Sequence, residues 1–459
     1  MRPSCADETS PAEGASATDL NQKAAPWVGD RIAELPLLHY DSRALATSIS
    51  SPGLAHARAT IMSHRFSVIQ TAPPDAILGL TEAFNADPNP DKMNLSVGVY
   101  KDENGQTPIL KSVKAAEQKI LDSEATKGYL SIDGLPEYRA DVRNLVFGET
   151  LAADRVAVLQ TPGGTGALRV AADFMRTQLP KARIWMPNPT WANHPAIFAA
   201  AGLSSETYRY LGDDRTSLDL DGMLAALNDN AKPGDAILLH GCCHNPTGID
   251  PTAEDWKQIA SVIAEKNLLP LIDFAYQGFG DGIEQDAVGL RTVLEHVDEA
   301  IVCTSFSKNF GLYSERVGAV SLVAADVEQC TAALSQLKRV VRTNYSNPPR
   351  HGGAIVATIL ADEQLTRLWK EELETMRLRI TRLREQFVET MKSTGSGHDF
   401  SFLLRQKGMF SYSGLSPMQV DELKSKHGIY IVGSGRINVA GMSETKMNSF
   451  CEAVASVMS

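Results

Sequence analysis

Short apolar runs alternating with stretches of helical character constrain this chain more than any other feature. Ile184-Trp185-Met186, Ala236-Ile237-Leu238-Leu239-His240, Leu268-Leu269-Pro270-Leu271-Ile272-Asp273 and Ala300-Ile301-Val302-Cys303-Thr304 read as strands. Helical segments separate several of them. The pattern predicts an α/β fold with a mostly parallel sheet covered by helices on both faces. Sites in such sheets collect beyond the carboxyl ends of the strands. Asp273 ends one of these strands, and Ser305 to Lys308 follow another.

The chain has 459 residues, 43% of them hydrophobic and 22% charged, enough for a large core in two or three domains. A formal net charge of −11 argues against bulk affinity for nucleic acid or a membrane surface. No apolar run is long enough to span a bilayer. Six cysteines (Cys5, Cys242, Cys243, Cys303, Cys330 and Cys451) lack framework spacing, so reduced, mostly buried thiols in a cytoplasmic protein are expected. Cys242-Cys243-His244 hints at zinc, but adjacent cysteines cannot chelate as a Cys-x-x-Cys pair does and no second ligand pair follows, so no metal is expected.

Residues 1–61 are rich in Ala, Ser and Pro with little periodicity and are expected to be a disordered, non-functional extension. They show no apolar core of a secretory signal, and Asp7, Glu8, Glu13, Asp19, Asp30 and Glu34 are too many acids for a transit peptide. Met62 opens a segment that reads as a natural beginning. Residues 62–75 read as an extended arm, and Pro73 to Leu80 lead it into a helix. Trp369 to about Thr390 reads as a long charged amphipathic helix, and a smaller α/β region closes the chain.

The chemistry concentrates in Thr304-Ser305-Phe306-Ser307-Lys308 and the residues up to Gly318. Here Lys308 lies among hydroxyl residues, with Arg316 about two helical turns further on. Hydroxyls and a guanidinium hold a phosphate, while a lysine amine reaches an aldehyde carbon. Upstream, Asp273-Phe274-Ala275-Tyr276 offers an acid for a pyridinium nitrogen and a phenol for a ring oxygen. Together these residues suggest pyridoxal phosphate (PLP).

Other segments are ambiguous taken singly. Thr161-Pro162-Gly163-Gly164-Thr165-Gly166 suits a phosphate at a helix start, or is a plain turn into a helix; it lacks the Gly-Lys-Ser/Thr of a P-loop. Trp191 and His194 could stack on a flat ring and orient Asp273, or be a core tryptophan and a capping histidine. Asn245, in His244-Asn245-Pro246-Thr247-Gly248, could donate to a ring oxygen or simply belong to a turn. Arg342 and Arg436 could each fork onto a carboxylate. Arg342, beside Arg339, is equally a solvated charge. Arg436 begins an apolar strand after Gly433-Ser434-Gly435, which makes burial with a ligand more credible.

With these motifs in this order, the chain resembles class I, fold type I PLP-dependent aminotransferases, in particular the aspartate and aromatic-amino-acid branch. Asn94 to Tyr100, Tyr129 to Gly134, His240 to Gly248 and Gly408 to Leu415 carry the resemblance, which runs from about Ala72 to the C-terminus. It implies a large PLP-binding domain over 109–375 and a small domain from 76–108 and 376–459. Lys308 would form the internal aldimine and then move a proton from Cα to the cofactor. Asp273, backed by His194, would pair with the pyridine nitrogen, and Tyr276 and Asn245 would bond the ring oxygen. Trp191 would stack on the ring. Gly164, Thr165, Ser305 and Arg316 would hold the phosphate, with Tyr129 reaching a neighbouring subunit's phosphate. Arg436 would bind the α-carboxylate, and Arg342 from the neighbour the distal one, with Gly98 near the substrate.

The resemblance further implies a homodimer with shared sites and ping-pong exchange between an amino acid and a 2-oxo acid such as 2-oxoglutarate. Thr165 and Asn347 look like the aspartate-preferring branch, while Gly128 departs from its asparagine. Broad use of aspartate, glutamate and aromatic amino acids is therefore expected. The rivals are a strict aspartate enzyme, a fold type I PLP lyase or decarboxylase, and a binding protein built on a dead enzyme, which would be expected to lose Lys308 or Asp273.

Overall fold

The computed structural model describes residues 64–72, 78–149 and 151–458. The expected extension over 1–61 lies outside them, as does part of the arm. Residues 72–459 form one compact unit. Its centre is a seven-stranded sheet: β1 (Val156–Pro162), β2 (Ile184–Asn188), β3 (Ser205–Arg209), β4 (Ala236–His240), β5 (Leu269–Phe274), β6 (Ala300–Ser305) and β7 (Val317–Val323). Their spatial order is β1-β7-β6-β5-β4-β2-β3. All neighbours pair in parallel except β7, which is antiparallel to both β6 and β1. The four strands expected from the sequence are thus present in a mostly parallel sheet.

Successive residues of these strands point to opposite faces, and both faces are buried. Leu238, Leu271 and Ile301 join a cluster with Leu168, Ala171 and Met175 of the helix Gly163–Gln178. Ile237, Ile272 and Val302 join a second cluster with Trp256, Ile259 and Ile263 of the helix Ala253–Glu265. That helix starts at a capping box in which the Thr252 side chain accepts from the Asp255 N–H and the Asp255 carboxylate accepts from the Thr252 N–H.

The long helix runs over Glu363–Ser393, starting earlier than the sequence suggested because Asp362 caps it, accepting from the N–H groups of Gln364 and Leu365. Leu365, Trp369, Leu373, Met376, Ile380, Leu383 and Phe387 are buried at three- and four-residue spacing, one apolar stripe on a charged helix. Beyond it, Phe410–Tyr412 pairs antiparallel with Arg436–Asn438, and Met93–Asn94 pairs parallel with Ile429–Tyr430. No helix among the described residues is long and apolar enough to cross a membrane.

Trp369 links this long helix to the loop that carries Lys308. Its ring stacks on Phe310 at 4.3 Å between centroids, and its indole N–H donates to the Asn309 carbonyl at 2.8 Å. Replacing it with alanine opens a cavity under that loop and leaves the carbonyl unpaired. Trp369→Ala is expected to destabilise the protein by about 3–5 kcal/mol. A denaturant midpoint unchanged from wild type would show that the contact is dispensable.

Candidate active site

At the carboxyl ends of the parallel strands lies a cavity of about 410 Å³. Lys308 reaches it from the loop joining β6 to β7, and Asp273 from the end of β5. Asn245 follows β4, and Trp191 precedes the helix His194–Ala200. Gly164 and Thr165 come from the first turn of the helix Gly163–Gln178, and Gly98, Tyr276, Ser305, Arg316 and Arg436 complete the set. Of the residues given a site role from the sequence, Tyr129, Arg342 and His194 do not line it, His194 standing behind Asp273. Tyr129 is 95% exposed, and exposed Arg342 donates from Nη1 to the hydroxyl of Ser346.

The segment from Lys308 to Arg316 is not helical, although the sequence spacing was read as two helical turns. Gly311 and Arg316 have positive φ (64° and 54°), and the chain doubles back through successive turns. The reversal still brings Arg316 to the cavity, where its Nη1 lies 3.3 Å from the Ser307 hydroxyl. Gly318, just beyond, has room for no side chain, since a Cβ there would lie 2.6 Å from the Gly163 carbonyl carbon and the Thr304 oxygen.

Asp273 is nearly buried, and one carboxylate oxygen lies 2.9 Å from His194 Nε2. Burial would raise its pKa, but the His194 bond and charge, with His240 and Lys308, hold it below the ordinary carboxylate value. The other ring nitrogen of His194 lies 2.8 Å from the Thr190 hydroxyl, which is 3.0 Å from His240 Nε2. Burial, then the neighbouring His194, lowers the pKa of His240 to about 3, so it is neutral at ordinary pH.

The Lys308 amine lies 4.8 Å from the Tyr276 ring centroid. Burial lowers its pKa to about 8, against the pull of Asp273 and with the help of Arg316. Burial raises the Tyr276 phenol, with Arg436 opposing. Arg436 is 4% exposed and donates to Asn245 Oδ1 at 3.2 Å and to the Ser96 carbonyl at 2.5 Å, leaving its Nε unpartnered.

These groups fit PLP. A 16-residue helix begins with Gly163 and Gly164 facing Ser305, Ser307 and Arg316, a cradle suited to a phosphate. A carboxylate held ionised suits a protonated ring nitrogen, and a lysine with a depressed pKa suits an aldehyde. The sequence reading gave no site role to His240, Tyr313 and Phe410, which also line the cavity, and named Ser307 only among the hydroxyls around Lys308. Ser307, adjacent to the lysine, and His240, at a strand end like Asp273, were legible; Phe410 was not, since its place depends on a distant strand pairing.

The cysteine pair has a neighbour that its spacing did not reveal. Cys242, Cys243 and Asp286 bring potential ligand atoms within 4.8 Å of one another. The Asp286 carboxylate, however, accepts backbone N–H bonds from Gly278, Gly280 and Asp281 at 2.7–2.9 Å. Burial raises both thiols, Cys243 to about 12. The five cysteines among the described residues are free and buried.

Residues 90–454 match the family model for aminotransferase class I and II. An aspartate aminotransferase of Salmonella typhi is 52% identical over 396 residues, covering 86% of this chain and 100% of the relative. An aromatic-amino-acid aminotransferase of Pseudomonas aeruginosa is 47% identical over 399 residues, covering 86% and 99%. The crystal structure of an aromatic-amino-acid aminotransferase from Burkholderia pseudomallei, covalently bound to pyridoxal phosphate, superposes with a TM-score of 0.84 at 47% identity, over 86% of this chain and 100% of that one. The extent of these matches, and a cavity whose groups suit the same cofactor, lead to one conclusion: the chain belongs to the class I and II aminotransferases and is an enzyme of PLP-dependent transamination.

Proposed function

We propose that this enzyme exchanges amino groups between aspartate, glutamate or aromatic amino acids and a 2-oxo acid such as 2-oxoglutarate, in two alternating half-reactions. The convergence of Lys308, Asp273 and Arg436 on one cavity carries the reading. Relatives of comparable identity named for aspartate and for aromatic amino acids support the breadth of the donor class.

PLP, when bound, supplies an aldehyde for the substrate amine and a ring that accepts the electrons of the Cα–H bond. The rest falls to this chain's residues. Gly164, Thr165, Ser305 and Arg316 bind the phosphate, and Trp191 packs on the ring. Asp273 keeps the ring nitrogen protonated because His194 holds its carboxylate ionised and oriented. Tyr276 and Asn245 bond the ring oxygen. Arg436 takes the substrate's α-carboxylate with its two-pronged fork, beside Gly98. The Lys308 amine, neutral above about pH 8, would take the proton from the substrate Cα and deliver it to the carbon of the cofactor's aldehyde group, across the nitrogen between them.

Tyr129 and Arg342 serve a neighbouring copy, Tyr129 at its phosphate and Arg342 at the distal carboxylate. Their exposure away from their own cavity supports a homodimer with shared sites. Aromatic substrates require Arg342 to stay outside, since an unpaired buried guanidinium costs several kcal/mol. The Ser346 hydroxyl offers it a resting partner. Residues 76–108 with 376–459 act as a small domain against a large domain over 109–375, in a cytoplasmic enzyme.

Lys308→Ala removes the proton carrier and is expected to lower turnover by at least roughly two to four orders of magnitude; near-normal rates would refute this assignment. Cofactor uptake by PLP-free protein is expected to quicken as pH rises through about 8 and then level off, because only the neutral amine attacks. Asp273→Asn should move that midpoint lower, since the Asp273 charge raises the lysine pKa. A midpoint in the range of an ordinary exposed lysine would contradict the burial argument.

The substrate reading is tested by absorbance. The yellow holoenzyme is expected to bleach with aspartate and, separately, with tyrosine. Bleaching by aspartate alone, or a tyrosine-to-aspartate ratio of kcat/KM below about one in 10⁴, would make it a strict dicarboxylate enzyme.

A further inference from the structure

We infer that Phe410 is a positioning residue for substrate binding, its ring fixing the Arg436 guanidinium in the pose that receives a carboxylate. The inference rests on the reading of Arg436 as the carboxylate receptor.

The guanidinium carbon of Arg436 stands 4.3 Å from the centroid of the Phe410 ring. Its polar contacts are neutral: the Asn245 amide oxygen and the Ser96 carbonyl. A buried guanidinium with only neutral hydrogen-bond partners keeps most of its electrostatic demand for an incoming anion. The negative face of the Phe410 ring adds an attraction beside that of the Tyr276 phenol, and it works without neutralising the charge. An acidic side chain in that position would compete with the substrate; a ring does not.

The backbone explains why these two side chains meet. Phe410 lies opposite Asn438 in the antiparallel pair, and Arg436 lies opposite Tyr412. Phe410 and Arg436 are therefore diagonal neighbours on one face, within reach for an aromatic and a long side chain. The ring has little freedom. A Cβ at residue 98 would come within 2.8 Å of the Phe410 ring tip, and one at residue 248 within 2.5 Å of its carbonyl oxygen, so glycine at both positions lets the ring sit where it does.

The same ring packs against Tyr276 at 6.0 Å and an interplanar angle of 81°. The Lys308 amine stands 4.8 Å from that second ring. A chain of contacts thus runs from Lys308 over the Tyr276 ring to Phe410 and on to Arg436. A purely structural role for Phe410, as one more core side chain, would predict general destabilisation without a selective effect on carboxylate affinity.

The test uses holoenzyme carrying Phe410→Leu, with KM and kcat for aspartate and the Kd of succinate, a dicarboxylate without the amine, read by calorimetry. KM and the succinate Kd are expected to rise roughly 3- to 30-fold, the range of a partly desolvated cation–π contact, while kcat changes by less than KM does. Ring-fluorinated phenylalanines at position 410 keep the side chain's shape but drain the ring face, so the succinate Kd should rise stepwise with fluorination. A flat fluorination series, or a Phe410→Leu enzyme with unchanged KM and Kd, overturns the inference. Arg436→Lys run in parallel separates the two claims. If it raises the succinate Kd while the position 410 series is flat, only the inference about Phe410 fails; if it leaves that Kd unchanged, the reading of Arg436 fails as well.

Discussion

The site depends on the antiparallel placement of β7 between β6 and β1. In a wholly parallel sheet, the chain leaving β6 would have to cross over a face and return at the far end. Because β7 runs the other way, the chain turns back at the carboxyl end of β6 and spends residues 306–316 there. That short return carries Lys308 and Arg316. On its other side β7 pairs with β1, whose last residue, Pro162, lies opposite Val317, so the helix beginning at Gly163 starts beside the same turn. One reversed strand thereby brings together the amine, the guanidinium and the helix N-terminus, and Gly318 permits their close approach.

The electrostatics build on this frame. The site holds one carboxylate charged and makes one amine easier to neutralise although both lie in the same low-dielectric space. Burial works against both charged forms, so the difference comes from their partners. Asp273 has a histidine at hydrogen-bonding distance, itself engaged by Thr190, and stays ionised. Lys308 has no comparable hydrogen-bond acceptor among the described residues; it faces an aromatic ring, and Arg316 is an adverse charge that offsets part of the pull of Asp273. The two pKa values are pushed in the directions that proton transfer at this site requires.

Much of the architecture was legible because burial and strand periodicity act locally. The runs ending at His240, Asp273 and Thr304 are strands, and their carboxyl ends mark the cavity. The orientation of β7 was not legible, since an apolar run such as Val317 to Val323 fits either direction in a sheet buried on both faces. The same limit applies to Asp286 beside the cysteine pair and to Phe410 beside Arg436, both set by segments distant in the sequence. The Lys308–Arg316 spacing misled for another reason. A short, turn-rich return can deliver the arginine as well as a helix can, and Gly311, with its positive φ, is the residue that could have signalled turns.

The pairing of β1 with β7 also bears on when the site comes into being during synthesis. Val156 and Val323 are partners, as are Pro162 and Val317, so β1 waits for a strand made much later. Until residues 317–323 have emerged, the helix start at Gly163 has neither Arg316 nor Gly318 beside it, and β1 has no edge to join. The phosphate cradle is therefore a late product of translation. A ribosome stalled within the first three strands carries an aminotransferase fragment with no place to dock the cofactor, and non-local pairing of this kind is a slow step in folding. Cofactor capture thus reports completion of the large sheet, and PLP favours the finished chain over its precursors by binding only what has closed.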